Sequence, residues 1–298
     1  MKLSDVYMIK NVMKLSRLDL PTLITLMVTA VGCLKQSSSE DLVLVFGENE
    51  KINLSEMAFY DTSSHILYFK NYHPELTKYH QTKSTFKCVH EEDIVLFSGD
   101  IWPTFLSSLP LGNYTSVILT GGQTYFLQFQ AFNSQVGDER LITQLARRNK
   151  IRQGLQLRLE NLEVTESLAR VNFKITNQDQ DQLRCFNPET MGVNLFSYYS
   201  GGLEFYNPTT FGLIYSGLDS ITSVPTMPQS SWFNILDSKT SKNYQLEFSL
   251  PQVLAPGTYQ VRFAFAGPTY DTSLEDLVEN NIRTWLGIIR ATTTLKIP

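Results

Sequence analysis

Cysteine, histidine and basic charge are all scarce in this chain of 298 residues, and each scarcity removes a class of protein. Three cysteines, Cys33, Cys88 and Cys185, cannot build the disulfide framework of a small secreted scaffold, and no Cys-x-x-Cys pair is present to hold zinc or exchange disulfides. Lys and Arg number 25 against 29 Asp and Glu, a formal charge of −4, so no basic field exists for nucleic acid. The densest basic cluster, Arg147, Arg148, Lys150 and Arg152, is short and reads as a solvated helix end. No apolar run approaches the ~20 residues that carry a helix across a bilayer. Local catalytic signatures are missing as well: there is no Gly-x-Ser-x-Gly elbow, no His-Glu-x-x-His and no phosphate-cradling glycine loop.

What is present begins with residues 20–33, LPTLITLMVTAVGC, preceded by Lys10, Lys14 and Arg17. A basic flank followed by a short apolar run is the pattern of an export signal, with residues 1–32 as the signal peptide and Met8 or Met13 as alternative starts. Ala30, Val31, Gly32 and Cys33 resemble the lipobox of bacterial lipoproteins, although Ala30 stands where Leu is more frequent. The resemblance implies cleavage before Cys33, a palmitate-type lipid on its sulfur, and membrane attachment through that lipid. An ordinary cleaved signal and a buried core segment are the alternatives. Residues 33–41 are serine-rich and polar, and read as a lipid-anchored tether. Removing four basic and two acidic residues with the first 33 leaves a mature charge near −6.

From residue 42 onward the chain is written in short alternating runs rich in Val, Ile, Phe and Tyr, bounded by Gly, Asn, Asp and Ser. The spacing predicts an all-β fold of two tandem antiparallel β-sandwich domains, residues 42–136 and 155–298, joined by a helical connector over 137–154. Within the connector Asp138 is placed to cap a helix reaching to residue 149, and Leu141, Ile142, Leu145 and Ala146 share one face. Further strands are expected at 168–175, 193–199, 203–206, 211–215, 244–250, 258–266 and 292–297. One short helix is expected over 272–282, where Thr272 or Ser273 caps and Leu274, Leu277, Val278 and Ile282 form an apolar face.

Leu250, Pro251, Ala255, Pro256, Gly257, Thr258 and Tyr259, followed by the alternation VRFAFAG, resemble the edge-to-core strand of immunoglobulin-like and fibronectin-like bacterial domains. That likeness implies an immunoglobulin-like second sandwich, with Tyr259, Val261, Phe263 and Phe265 inward and Gln260, Arg262 and Ala264 outward. The whole layout is similar to that of uncharacterised envelope lipoproteins of Bacteroidota, and in size and domain count to fimbrial anchor proteins of that group, the latter without a diagnostic motif. It implies a non-catalytic binding or scaffolding role at the cell envelope, at the outer membrane. A glycan-binding module, a fimbrial assembly component and an envelope enzyme with a dispersed site remain as alternatives.

Candidate site residues are few. Tyr198, Tyr199, Tyr206 and Trp232 are the aromatics placed to contact a glycan or an envelope protein, though core filling accounts for most residues of this kind. His65, His73, His80 and His90 cluster in sequence, but their spacing matches no metal-ligand pair, and they read as exposed loop histidines. Asn177, Asp179 and Asp181 carry alternate oxygens without the glycine and glutamate of a calcium loop, and read as a solvated hairpin tip. No catalytic residue, metal or cofactor is assigned. Cys88 and Cys185 are either two separately buried thiols, the favoured reading, or one interdomain disulfide.

Overall fold

The computed structural model describes residues 42–48, 50–90, 94–103, 113–120, 123–131, 139–220, 230–268, 278–279 and 282–298. Cys33, the tether and the signal segment lie outside the described residues. Among those described the chain is mostly strand, arranged in several sheets with no closed barrel, as the alternating sequence pattern requires.

The first half supplies β1 (Leu42–Phe46), β2 (Glu50–Asn53), β3 (Met57–Asp61), β4 (Ile66–Phe69), β5 (Ser84–His90), β6 (Ile94–Ile101), β7 (Asn113–Thr120), β8 (Gln123–Ala131) and β9 (Ile151–Arg152). These nine form one hydrogen-bonded sheet in the order β2-β1-β5-β6-β7-β8-β4-β3-β9. Leu42, Leu44 and Phe46 of β1 and Tyr60, Leu67 and Phe69 of β3 and β4 belong to one core, although four or five strands separate them in the sheet. The sheet therefore folds over its own apolar face. A 3-10 segment, Pro74–His80, adds Leu76 and Tyr79 to that core.

The connector is α1 (Glu139–Arg147), with Leu145 buried against the same core. After it the chain pairs β9 parallel to β3, so the passage to the second half is itself zipped into the first sheet.

The second half contains β10 (Leu155–Thr165), β11 (Leu168–Asn177), β12 (Leu183–Phe186), α2 (Pro188–Ser200), β13 (Leu203–Tyr206), β14 (Leu213–Ser216), β15 (Phe233–Leu236), β16 (Ser241–Ser249), β17 (Gly257–Ala266), β18 (Val278–Glu279), β19 (Ile282–Thr284) and β20 (Ile288–Ile297). They form sheets β10-β11-β16, β15-β12-β19-β18 and β14-β13-β17-β20 around one aromatic-rich core. Ala169, Val171, Phe173 and Ile175 of β11 are fully buried while the residues between them are not, the period of a half-buried strand. On β17, Tyr259, Val261, Phe263 and Phe265 point into the core and Gln260 and Arg262 away from it, as the strand period predicts. Ala264 also faces outward in register, yet is only 4% exposed, because the Gly201–Gly202 turn lies over it and its N–H donates to the Gly202 carbonyl.

Two expectations fail. Residues 193–199 are not a strand but part of α2. Asn187 caps that helix through its side-chain oxygen, Pro188 supplies a preset first turn, and Gly201 closes it at φ 79°. Phe196 then packs between Phe173 and Phe263, so burial of one ring overrides the strand preference of a Val-Phe-Tyr run. The helix expected over 272–282 falls mostly on residues outside those described. Its described end is strand, β18 and the start of β19, and β19 pairs parallel to β12.

Candidate functional site

Asp179 and Asn177, read from sequence as a solvated tip, are instead among the most buried polar groups, at 3% and 0% exposure. They belong to a polar joint between the two halves. Arg283 on β19 donates through Nη1 to Asp61 Oδ2 at 2.8 Å and through Nη2 to Asp179 Oδ2 at 2.5 Å. Its guanidinium also lies over the rings of Phe59 and Tyr68. Burial opposes the Arg283 charge, but the Asp61 carboxylate, Tyr68 and Asp179 outweigh it and hold the group more firmly protonated than usual.

The remaining oxygens of the joint are spoken for. Asp61 Oδ1 accepts from the Ser63 N–H and hydroxyl and the Ser64 N–H, which also shapes the β3–β4 turn. Asp179 Oδ1 accepts from the N–H groups of Gln153 and Gly154. Ser63 Oγ in turn accepts from Trp285 Nε1 at 2.9 Å and from the Leu155 N–H. A hydroxyl has one donor and two acceptor sites, and here all three are used, so Ser63 is a structural link and not a poised nucleophile. Gly154 has a specific reason to be glycine: φ is +65°, and a Cβ there would overlap the Ser63 hydroxyl and the Asp61 carboxylate.

The histidines are not the exposed loop residues the sequence suggests. His73 and His90 are buried, His73 against Glu75 at 2.9 Å, and His65 shares a hydrogen bond with the Tyr60 hydroxyl in the β3–β4 turn. Burial pulls the His65 pKa down, against the nearby Asp61 carboxylate. Among the described residues no three His, Cys, Asp or Glu side chains converge as a metal site. Cys88 and Cys185 are free, each in a different core, and burial pushes both thiols up to about 12.

Three of the four sequence-selected aromatics come together. Tyr198 and Tyr199 meet edge to face at 5.0 Å, and Tyr199 packs on Trp232 at 5.7 Å. Trp232 is 6% exposed and joins the core, whereas Tyr198, at 39%, faces solvent. Tyr206 lies apart, on the outward face of the β14-β13-β17-β20 sheet. There its hydroxyl donates to Glu204 and accepts from Arg262, and Arg262 also pairs with Glu204.

A cleft elsewhere in the second half contains none of these aromatics. β10 and β20 are edge strands of two different sheets, and among the described residues each pairs on one side only, β10 with β11 and β20 with β17. They run beside each other and bound a cleft of about 490 Å³, lined by residues 157–162 and 290–295. Every consecutive residue of both stretches reaches the cleft, so main-chain edges form much of its wall. The β17 register places Ile289, Ala291, Thr293, Leu295 and Ile297 on the core side of β20. On β10, Leu157, Leu159, Leu162 and Val164 are half-buried against the same core. The inward row of β20 is thus large at its ends and small in the middle. Ala291 and Thr293 leave the space that the cleft occupies.

The two walls differ. Pairing of β10 with β11 slips between Leu159 and Asn161, making Glu160 a bulge, whereas β20 pairs with β17 through ten uninterrupted partners from Gly257↔Ile297 to Ala266↔Ile288. Sequence alternation could reveal both strands but not that they are edges, which depends on pairing order across the whole second half. No protein-family profile matches the chain, and no curated protein matches it in sequence.

Proposed function

We propose that this chain is a non-catalytic binding or scaffolding lipoprotein of the bacterial cell envelope, held by a lipid on Cys33 and engaging its partner along the β10–β20 cleft. The cleft carries the reading: besides Arg158, Glu160, Asn161 and Arg290 its wall is main-chain edge, aliphatic side chain and threonine, and it brings together no histidine, cysteine or paired carboxylates, which suits recognition better than hydrolysis. The apolar run ending at Gly32-Cys33, followed at once by a polar tether, supports the anchor. Two measurements test the two halves of the proposal. Radioactive fatty acid is expected to label the wild-type protein and not Cys33→Ala, and absence of label on the wild type removes the anchor. A photo-crosslinking amino acid at Thr293 is expected to form adducts in intact cells, and no adduct removes the cleft as a binding site.

A second reading rests on Tyr206. With Glu204, Gln260 and Arg262 it forms a flat outward patch in which the charges of Glu204 and Arg262 compensate each other, a surface suited to a neutral, hydroxyl-rich glycan. Retention on immobilised neutral polysaccharide, lost in Tyr206→Ala, would move the binding site from the cleft to this face.

A further inference from the structure

We infer that the cleft takes an extended polypeptide segment which pairs as an added strand with the open edge of β20 and sends alternate apolar side chains into the space over Ala291 and Thr293. The inference rests on the reading of the cleft as the binding site and names the chemical class of its occupant. Four observations converge on a polypeptide strand.

An open strand edge offers amide donors and carbonyl acceptors in a row at the strand repeat, and only another extended backbone matches both at that spacing. β20 is suited to this role along its whole length, since none of its ten residues is bulged out of register. β10 is not suited, because the bulge at Glu160 interrupts the row in the middle of the cleft, a device that blunts an edge against pairing. So the hydrogen bonds go to β20, and β10 contributes a side-chain wall.

The core beneath is unfinished on this side. Leu157, Leu159, Leu162 and Leu295 pack on the buried cluster while remaining half-buried, and the two small residues at the centre of the β20 row leave the volume between them. Apolar residues at every second position of the occupant would complete that packing, and its intervening residues would face solvent beside Arg158 and Arg290.

The probe is a fluorescent peptide of the length of β20, with Val at alternate positions and Ser or Glu between, titrated against the full-length protein by anisotropy. Binding is expected, and to weaken at least about tenfold when the same residues are rearranged so that the Val are contiguous. It is also expected to be lost when alternate peptide nitrogens are methylated in one phase and retained when they are methylated in the other, the signature of one-sided strand pairing. Ala291→Trp fills the space and is expected to abolish binding. Ala291→Val, a milder fill, is expected to weaken binding with the melting temperature unchanged. Equal binding of the alternating and contiguous peptides, indifference to methylation phase, or no binding at all would overturn the strand assignment. If the crosslinker at Thr293 still forms adducts in that event, the cleft remains a binding site for a different class of ligand. If it forms none, both readings fall.

Discussion

Phe263 and Arg262 are neighbours in sequence and opposites in environment. Phe263 is fully buried among Phe173, Phe196 and Phe248, whereas the Arg262 side chain is 38% exposed and paired with Glu204 across the sheet surface. Phe263→Ala is therefore expected to cost about 3–5 kcal/mol, by lost transfer energy and the cavity it leaves. Arg262→Ala should cost less, about 1–2 kcal/mol, since its partner Glu204 is largely buried but keeps the Tyr206 hydroxyl as a donor. Urea midpoints separate the two, and equal losses would overturn the register of β17. The cysteines allow a second test at this scale. With both thiols pushed up to about 12 and buried, neither Cys88 nor Cys185 has a reactive thiolate at pH 8 in the folded chain. In Cys33→Ala, a thiol reagent at pH 8 is expected to find no fast-reacting group until urea unfolds the protein, and then two.

At the scale of elements, legibility follows periodicity. β11 and β17 were readable because one face is fully buried, and a buried face forces a strict two-residue alternation. The connector helix was readable because Leu141, Ile142, Leu145 and Ala146 recur at helical spacing, a local pattern. α2 was not, since its Val, Phe and Tyr content is that of a strand and its helix is broken internally at Gly192, where φ is 74° and ψ 161°. That backbone is a glycine conformation, and a Cβ there would meet nothing within 4 Å. Gly192→Ala is thus expected to destabilise by about 1–3 kcal/mol through backbone strain alone. A melting temperature equal to wild type would show that the break is not a fixed feature of the helix. Asp179 was misread for a different reason: its partner Arg283 is 104 residues away, and no local pattern announces a buried charge that is neutralised from that distance. The cleft was illegible on the same ground, because an edge is a property of the sheet and not of the strand.

For the molecule as a whole, the joint of Arg283, Asp61 and Asp179 sets how firmly the halves are fastened. Removing Arg283 would strand two buried carboxylates, a loss of about 3–5 kcal/mol for a broken buried pair. If the halves are separate folding units, as we propose for residues 42–136 and 155–298, that loss falls on their docking. Thermal unfolding of Arg283→Ala is then expected to divide into two transitions where wild type shows one. Protease nicking between residues 147 and 154 should give fragments that stay together in wild type and part in the variant. A single, simply lowered transition in Arg283→Ala would mean that the two cores unfold as one.

The distance along the chain between the joint's partners has a consequence in time. Trp285 and Ser63 are 222 residues apart, as are Arg283 and Asp61. Closing so long a loop is entropically demanding, and it yields little until the β3–β4 turn and the β12–β19 pair exist to present the two sides. A chain emerging amino-terminus first therefore presents Asp61 and Ser63 before Arg283 and Trp285 have appeared. Until Arg283 docks, the Asp61 carboxylate lacks the guanidinium that neutralises it in the folded chain.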